Sequence, residues 1–185
     1  METIGEWAPL ADGRKLYVER GGTGTPMVVF EAGMGASRHS WGAVAPAVAR
    51  HTSTATYDRS GLGRSPADTQ PRVLPRLVDD LVGLLRHLGD GPFVLVGHSW
   101  GGPIVRLVAA REPDLVGALV LVDQTDERCD LFFTAANRRQ ARRARRLGGR
   151  SLTDIQSHPG DRVDERTVIA RVEQMVQQLD VRTPQ

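Results

Sequence analysis

The sequence predicts an α/β protein, in which a mostly parallel sheet is covered by helices on both faces. Two observations favour this class. Short strand-like stretches alternate along the chain with helical stretches. Two of the strand-like stretches, 93–96 and 118–122, are continuously apolar, which is typical of strands buried on both faces. Ligands of such sheets bind beyond the carboxyl ends of the strands, so functional residues are expected in the turns that follow the strands.

The predicted strands are short, and most of them are followed by turn residues. A strand at 15–20 is expected to end at two glycines, and a strand at 26–31 contains Met-Val-Val-Phe. A strand at 52–57 precedes a glycine-rich turn. The remaining strands are expected at 93–96, 118–122 and 151–156.

The predicted helices are recognised by the spacing of their apolar residues. Helices are expected at 41–50, 77–88, 104–110 and 168–179. The second has leucines at i, i+4, i+7, i+8 and i+11, which form one apolar face, and Gly89 is expected to end it. The last helix repeats this spacing with valine, methionine and leucine.

Composition narrows the class of protein. The chain has 185 residues, which suits a single domain over 1–185. Its one cysteine, Cys129, excludes an internal disulfide. No apolar stretch is long enough to span a membrane, and the N-terminus does not look like a signal peptide, so a cytoplasmic location is expected. The 24 basic and 22 acidic residues are nearly balanced, which does not favour nucleic acid as a partner.

The five residues Gly-His-Ser-Trp-Gly at 97–101 follow the strand at 93–96 and precede a helix. A sharp turn between strand and helix strains the backbone of Ser99 and exposes its hydroxyl, and glycines two positions away allow the close approach. A serine hydroxyl is a weak nucleophile that needs exposure, a base and oxyanion donors. The pattern predicts Ser99 as a nucleophile, the alternative being a glycine-rich turn without catalytic function.

Two backbone amides are the candidate oxyanion donors. The N–H of Trp100 lies at the start of the helix after Ser99, where free amides point at developing negative charge. The stretch Glu-Ala-Gly-Met-Gly-Ala-Ser at 31–37 follows a strand and can present the N–H of Met34 to the serine. The alternative for this stretch is a flexible loop.

Asp58 begins a third glycine-rich turn, at 58–65. We interpret Asp58 as a structural residue whose carboxylate accepts hydrogen bonds from the amides of the turn. A catalytic function is not expected because no histidine is evident beside it.

Four sequence blocks occur in a fixed order between residues 10 and 123: Glu-Ala-Gly-x-Gly-Ala, Tyr-Asp-Arg-x-Gly-x-Gly-x-Ser, Val-Leu-Val-Gly-His-Ser-x-Gly-Gly and Leu-Val-Leu-Val-Asp. In these blocks the chain resembles the α/β-hydrolase fold family, in its serine hydrolase branch. The resemblance implies serine-dependent hydrolysis of a small carboxylic ester or related acyl compound, with no metal or organic cofactor. The turn at 97–101 corresponds to the nucleophile elbow of this family. A serine at this elbow, in place of an aspartate, argues against the haloalkane dehalogenase and epoxide hydrolase branches.

The resemblance also implies a catalytic histidine in a loop between the last strand and a C-terminal helix. His158 matches this order and is assigned the function of base, the alternative being a surface loop histidine. His51 and His87 are expected at the surface. His98 belongs to the elbow but points away from the serine, and His39 is an outside candidate for a polar contact with substrate.

The chain is short between Asp123 and His158. Residues 124–157 number 34, enough for one crossover between parallel strands and not for two. One strand–helix unit and most of the cap are therefore expected to be missing, with 124–150 as the remnant. The last strand is expected either to lie beside the strand at 118–122, displacing His158 by about 4.8 Å, or to leave a gap of apolar sheet surface that favours oligomerisation.

The family's catalytic triad consists of a serine, a histidine and an acidic residue. The sequence does not decide which residue is the acid. The family's usual acid falls in the missing unit, and Asp123, Asp126 or no acid at all are the alternatives. Asp123 comes first because it ends the strand that follows the elbow helix, and some family members carry the acid there.

Seven arginines between residues 138 and 150 predict a solvated cap helix. The sequence leaves three functions open. The first is a serine hydrolase, and the second is a catalytically silent relative that binds a ligand or partner. The third, less favoured, is a module that binds anions through these arginines, since no aromatic residues interleave with them as in single-stranded nucleic-acid sites.

Overall fold

The computed structural model describes residues 3–125, 151–155 and 164–180. These residues form a seven-stranded sheet in the order β1-β2-β4-β3-β5-β6-β7. The strands are β1 Ile4–Pro9, β2 Lys15–Gly21, β3 Val28–Glu31, β4 Thr54–Asp58, β5 Phe93–His98, β6 Val116–Val122 and β7 Ser151–Ile155. The helices are α1 Val44–Val48, α2 Leu74–Leu88, α3 Gly101–Arg111 and α4 Glu165–Asp180, with a 3-10 helix at Arg38–Trp41.

The sheet is antiparallel at one side and parallel through the rest. β2 pairs antiparallel with both β1 and β4. β3, β4, β5, β6 and β7 run parallel to one another. The turns that follow β3, β4, β5 and β6 therefore lie along one edge of the sheet, where the sequence places the functional residues.

Helices cover both faces of the sheet, and each face has its own apolar core. On one face α2 and α3 contribute the fully buried Leu81, Leu85 and Ile104. On the other face α1 and α4 bring Val48 and Val172 against the sheet. This arrangement confirms the predicted class, a mostly parallel sheet between two helical layers.

The longest helix of the first half, α2, ends where the sequence predicts and begins three residues before the predicted start at 77. It begins at Leu74 with a proline in its first turn, where a missing N–H does no harm. It ends at Leu88, and the Gly89 N–H donates to the Leu85 carbonyl at 3.1 Å. Gly89 has φ +144, a conformation that side chains rarely adopt.

Two elements differ from the prediction. β1 was not expected, because Ile-Gly-Glu-Trp-Ala-Pro has neither clear alternation nor a continuous apolar run. It is an edge strand in which Ala8 is fully buried while Ile4 is 69% exposed. The helix predicted at 41–50 is a 3-10 helix followed by the five-residue α1, since Gly42 and Pro46 disfavour one continuous helix.

β7 occupies the position directly beside β6. Their parallel ladder pairs Ala118 with Ser151 and Val122 with Ile155. Of the two expected arrangements, the structure therefore has the one in which the last strand moves next to β6, and no gap opens between these two strands. His158, Asp126, Cys129 and the arginine-rich stretch 138–150 lie outside the described residues.

Within the described part of the chain, no helix has both the length and the apolar character to cross a membrane.

Candidate active site

Ser99 has a left-handed backbone, with φ +49, between β5 and α3. Its N–H donates to the Val122 carbonyl at 3.0 Å, and its own carbonyl accepts the Gly102 N–H at 3.0 Å. Few residues other than glycine adopt a positive φ, and such strain persists only where the surroundings enforce it. The turn thus holds the serine at the carboxyl edge of the sheet in a conformation that the neighbouring strand β6 helps to fix.

The two glycines that flank the serine are needed because backbone lies against them. A Cβ at Gly97 would lie 2.8 Å from the Gly101 carbonyl oxygen. A Cβ at Gly101 would lie 2.5 Å from the Glu31 carbonyl oxygen, which no side-chain movement can relieve. The spacing of glycines seen in the sequence therefore reflects close approach of α3 to both β5 and β3.

The loop after β3 makes a tight turn next to the serine. The Ala36 N–H donates to the Gly33 carbonyl at 3.2 Å, and Gly35 has φ +69, as in a type II turn. A Cβ at Gly33 would lie 3.4 Å from Ser99 Cβ, which shows how closely the loop approaches. The Met34 amide donates no hydrogen bond to any other described residue, and the Met34 side chain is 55% exposed. This stretch thus has the geometry of a β-turn, with the Met34 amide at its second position.

Trp100 follows the serine and directly precedes α3, with helical backbone angles of φ −58 and ψ −24. Its indole is buried among the side chains of the α2–α3 face. The Trp100 amide therefore lies at the N-terminal end of the helix, immediately after Ser99, as the sequence predicts.

Within the described part of the chain, the serine hydroxyl lies within hydrogen-bonding distance of a threonine hydroxyl. Thr125 Oγ1 lies 3.5 Å from Ser99 Oγ, and the Thr125 N–H donates to the Ser99 carbonyl at 3.0 Å. Sequence reasoning missed Thr125, because nothing in the residues after β6 signals that the chain turns back over the serine. Across residues 3–125, 151–155 and 164–180, no histidine hydrogen-bonds to Ser99 Oγ.

His98 precedes the serine and packs under the loop instead of reaching the hydroxyl. Its ring meets the Trp41 indole edge-on at a centroid distance of 6.2 Å. A Cβ at Gly33 would lie 3.1 Å from His98 Nδ1. Burial lowers the pKa of His98, and the negative charge of Asp123 partly opposes this. The imidazole is thus a packing group beneath the loop.

Asp123 ends β6 at the same edge as the serine. It is exposed, with φ +43, and the residue before it pairs with His98 across the ladder. The end of β6, where Asp123 follows, therefore lies between β5 and β7. Asp126, the alternative acid, lies outside the described residues.

Asp58 is fully buried and has the structural environment expected from the sequence. Its carboxylate accepts the N–H groups of Arg38 and Arg64, both at 2.9 Å. It also pairs with the Arg38 guanidinium at 2.7 Å. The interpretation of Asp58 as a residue that binds turn amides is confirmed.

A second buried cluster, formed by Glu31, Tyr57 and Arg59, lies beneath the loop after β3. Arg59 Nη1 donates to Glu31 Oε1 at 2.7 Å, and the Tyr57 hydroxyl donates to Glu31 Oε2. Burial raises the pKa of the Glu31 carboxyl, and the Arg59 charge opposes that rise. Sequence reasoning missed this cluster, although opposite charges at the ends of two neighbouring parallel strands were the available signal.

The other described histidines are peripheral. His51 is 53% exposed and lies 3.1 Å from the Glu173 carboxylate, and His87 is exposed, as predicted for both. His39 is also exposed and lines a small surface pocket with Arg38 and Trp41. No group of three potential metal ligands occurs among the residues that the structure describes.

Known proteins are similar to this chain in sequence and in fold. Lipase LipV of Mycobacterium tuberculosis is 48% identical over 69 residues, which cover 37% of this chain and 26% of that protein. The sn-1-specific diacylglycerol lipase ABHD11 of Mus musculus is 38% identical over 100 residues, or 53% of this chain and 32% of that protein. The solved structure of the epoxide hydrolase CorEH is similar with a TM-score of 0.61 and 28% identity, over 66% of this chain and 43% of that one.

The match to the family is broader than the match to any of these proteins. The chain spans well under half of the length of the first curated relatives it matches, from 26% to 40%. Residues 26–167, by contrast, match the family model described as the alpha/beta hydrolase fold. Together with the seven-stranded sheet and the strained serine turn, this match shows that the chain belongs to the α/β-hydrolase fold family.

Proposed function

We propose that this protein is a serine hydrolase that cleaves a small carboxylic ester or a related acyl compound. Ser99 attacks the acyl carbonyl, and the amides of Met34 and Trp100 stabilise the oxyanion that forms. The names of the relatives LipV and ABHD11, both lipases, support an ester as the substrate.

The observation that carries the proposal is the strained backbone of Ser99. A positive φ on a serine costs about 1–3 kcal/mol, and sites with such strain concentrate at functional positions. The turn also requires glycine at positions 97 and 101, where the backbone packs closely. A loop between β5 and α3 without these requirements would be less strained. A nucleophile that must stand clear of its strand explains why the strained conformation is present.

His158 is the base in this proposal. It follows the end of β7, Ile155, by three residues, and three residues span at most about 10 Å. β7 is separated from β5 by one strand, so about two strand spacings, or roughly 10 Å, must be bridged. The two lengths are comparable, which supports His158 as a residue within reach of Ser99.

Asp123 is the proposed acid that orients this histidine. Its place directly after β6, the strand between β5 and β7, supports this function. The negative charge of Asp123 partly opposes the lowering of the His98 pKa by burial, which supports a position near the turn that carries Ser99. Asp126 is the alternative acid.

Covalent labelling with a fluorophosphonate tests the proposal, because this reagent requires an activated serine. We expect labelling of the wild type and none of Ser99→Ala. Replacement of a general base reduces rates by about 10²–10⁴-fold, so His158→Ala is expected to label that much more slowly. Asp123→Asn is expected to slow labelling as well, whereas a wild-type rate would favour Asp126 or no acid.

His51→Ala is the matched control, since His51 is exposed and pairs with Glu173 away from the serine. Its labelling rate and its hydrolysis of p-nitrophenyl acetate are expected to equal those of the wild type. Labelling that does not depend on Ser99 contradicts the proposal.

One observation favours a second candidate, a catalytically silent relative that binds a ligand or partner. Within the described residues the neighbour of Ser99 Oγ is the Thr125 hydroxyl, which cannot act as a base at neutral pH. A wild type that fails to label, or that labels at the same rate when His158 is replaced, would establish this candidate over the enzyme.

A further inference from the structure

Arg59 reaches beneath the loop that carries Met34 and bonds to its backbone. Arg59 Nη1 donates to the Ala32 carbonyl at 2.7 Å, and Nη2 donates to the Gly33 carbonyl. The guanidinium is 5% exposed, and its charge is balanced by Glu31, which is 1% exposed. One buried side chain therefore fixes two consecutive carbonyls of a loop that has no regular secondary structure.

Arg59 and Ser99 approach this loop from opposite sides. Arg59 follows β4, Ser99 follows β5, and β3, which leads into the loop, lies between these two strands. Gly33 faces the serine, since a Cβ there would lie 3.4 Å from Ser99 Cβ. The loop carbonyls thus point toward β4, and Ser99 lies on the other side of the loop.

The direction of the carbonyl decides the direction of the amide. The peptide between Gly33 and Met34 is trans, so its C=O and N–H point in opposite directions. With the Gly33 oxygen held by Arg59 and by the Ala36 N–H, the Met34 N–H points away from β4. The second position of a β-turn also has no partner within the turn, which leaves this amide available.

We infer that Arg59 is a positioning residue that aims the Met34 amide at the oxyanion formed on Ser99. This inference rests on the proposed function and deepens it, because it assigns the orientation of one oxyanion donor to a side chain that follows the neighbouring strand, β4. Arg59 does not touch the substrate, and Glu31 balances its charge and accepts a hydrogen bond from it.

Lysine cannot replace this arginine in function. The planar guanidinium presents donors in a fixed fork, which here reaches a carboxylate and two carbonyls together. An ammonium on a flexible stem can neutralise Glu31, but it does not hold both carbonyls in one geometry. Stability and catalysis are therefore expected to separate in Arg59→Lys.

The test compares Arg59→Lys and Arg59→Gln with Tyr57→Phe in hydrolysis of p-nitrophenyl acetate and in urea unfolding. Arg59→Lys is expected to be more stable than Arg59→Gln, because it keeps a cation beside Glu31. Misplacement of one donor is expected to lower kcat in both by about 10- to 100-fold, with KM within about threefold of the wild type.

Tyr57→Phe is the matched control. It removes the other hydrogen bond to Glu31 and leaves the bonds from Arg59 to the loop carbonyls. We expect it to lose stability while its kcat stays within about threefold of the wild type. A kcat that recovers together with stability in Arg59→Lys, or that falls equally in Tyr57→Phe, overturns the inference.

Two measurements do not depend on turnover by the variants. The ¹H–¹⁵N resonance of the Met34 amide is expected to move in Arg59→Lys and to stay in place in Tyr57→Phe, and the reverse pattern overturns the inference. In the wild-type fluorophosphonate adduct, the phosphoryl oxygen is expected within about 3.1 Å of Met34 N, and its absence from that position overturns it too.

These measurements separate the two proposals. A wild type without Ser99-dependent labelling refutes the proposed function, and the Met34 resonance then decides alone whether Arg59 orients the amide. A labelled wild type whose Met34 amide is indifferent to Arg59 leaves the hydrolase standing and removes the positioning residue.

Discussion

Ser99 and Asp123 are the two residues other than glycine that have a positive φ among those the structure describes, and they end neighbouring strands. Replacing Ser99 with glycine relieves the strain that replacing it with alanine keeps. We expect Ser99→Gly to exceed Ser99→Ala by about 1 kcal/mol in the free energy of unfolding, measured by urea denaturation.

Asp123→Gly serves as the comparison for that variant. Aspartate tolerates the left-handed region better than most residues, so the gain there is expected to be smaller. A Ser99→Gly protein that is no more stable than Ser99→Ala would show that the turn stores no strain.

His98 gives the molecule a defined response to acid. Because burial lowers its pKa below the usual 6.5, folding favours the neutral ring. The stability that depends on this ring is complete above the usual pKa and is lost as the pH falls below it, since the unfolded chain then takes up the proton first. Unfolding of the wild type and His98→Gln between about pH 8 and pH 5 should show a steeper loss in the wild type. Parallel curves would contradict the assignment.

Residues of the site were predictable where they belong to a local pattern. The nucleophile Ser99 and the oxyanion donors Trp100 and Met34 could be proposed because glycines at fixed offsets indicate tight turns after strands. The pairing of Arg59 with Glu31 and the approach of Thr125 to the serine are contacts between residues 26 or more positions apart. Such contacts depend on strand order and register, which the sequence pattern does not specify.

At the scale of elements, the fit of α3 against the sheet depends on glycine. We expect Gly101→Ala to lose about 1–3 kcal/mol or more of stability, because its Cβ would lie 2.5 Å from the Glu31 carbonyl oxygen. Gly35→Ala is the control, since open space surrounds that position and its φ of +69 alone opposes a side chain, at about 1–2 kcal/mol. Thermal or urea unfolding ranks the two, and the opposite ranking would refute the packing argument.

The positions of the elements were predictable to within a few residues where the apolar spacing was strong. α2 and α4 follow the spacing of their leucines and valines, and β5 and β6 follow their continuous apolar runs. β1 was missed because an edge strand needs little apolar surface and takes its hydrogen bonds from a single neighbour.

For the whole molecule, α4 joins the C-terminal part of the chain to the core. Val172 and Met175 are 0% and 5% exposed and pack with α1 and the sheet. Met175→Ala is expected to lower the free energy of unfolding by about 2–5 kcal/mol in one cooperative transition, as monitored by circular dichroism and tryptophan fluorescence. Gln177→Ala, at an exposed position of the same helix, should stay within about 0.5 kcal/mol of the wild type. Separate transitions for the two probes would mean that α4 folds independently.

The order of the strands also decides how the chain folds. The β1–β2 hairpin joins residues close in sequence and can form within microseconds, whereas each parallel pair must first close a long loop. β6 and β7 pair residues 33 positions apart. The central apolar strands, β5 and β6, are therefore expected to remain exposed until the loops close. Refolding yield should therefore fall as protein concentration rises, with intermolecular association competing against completion of the sheet.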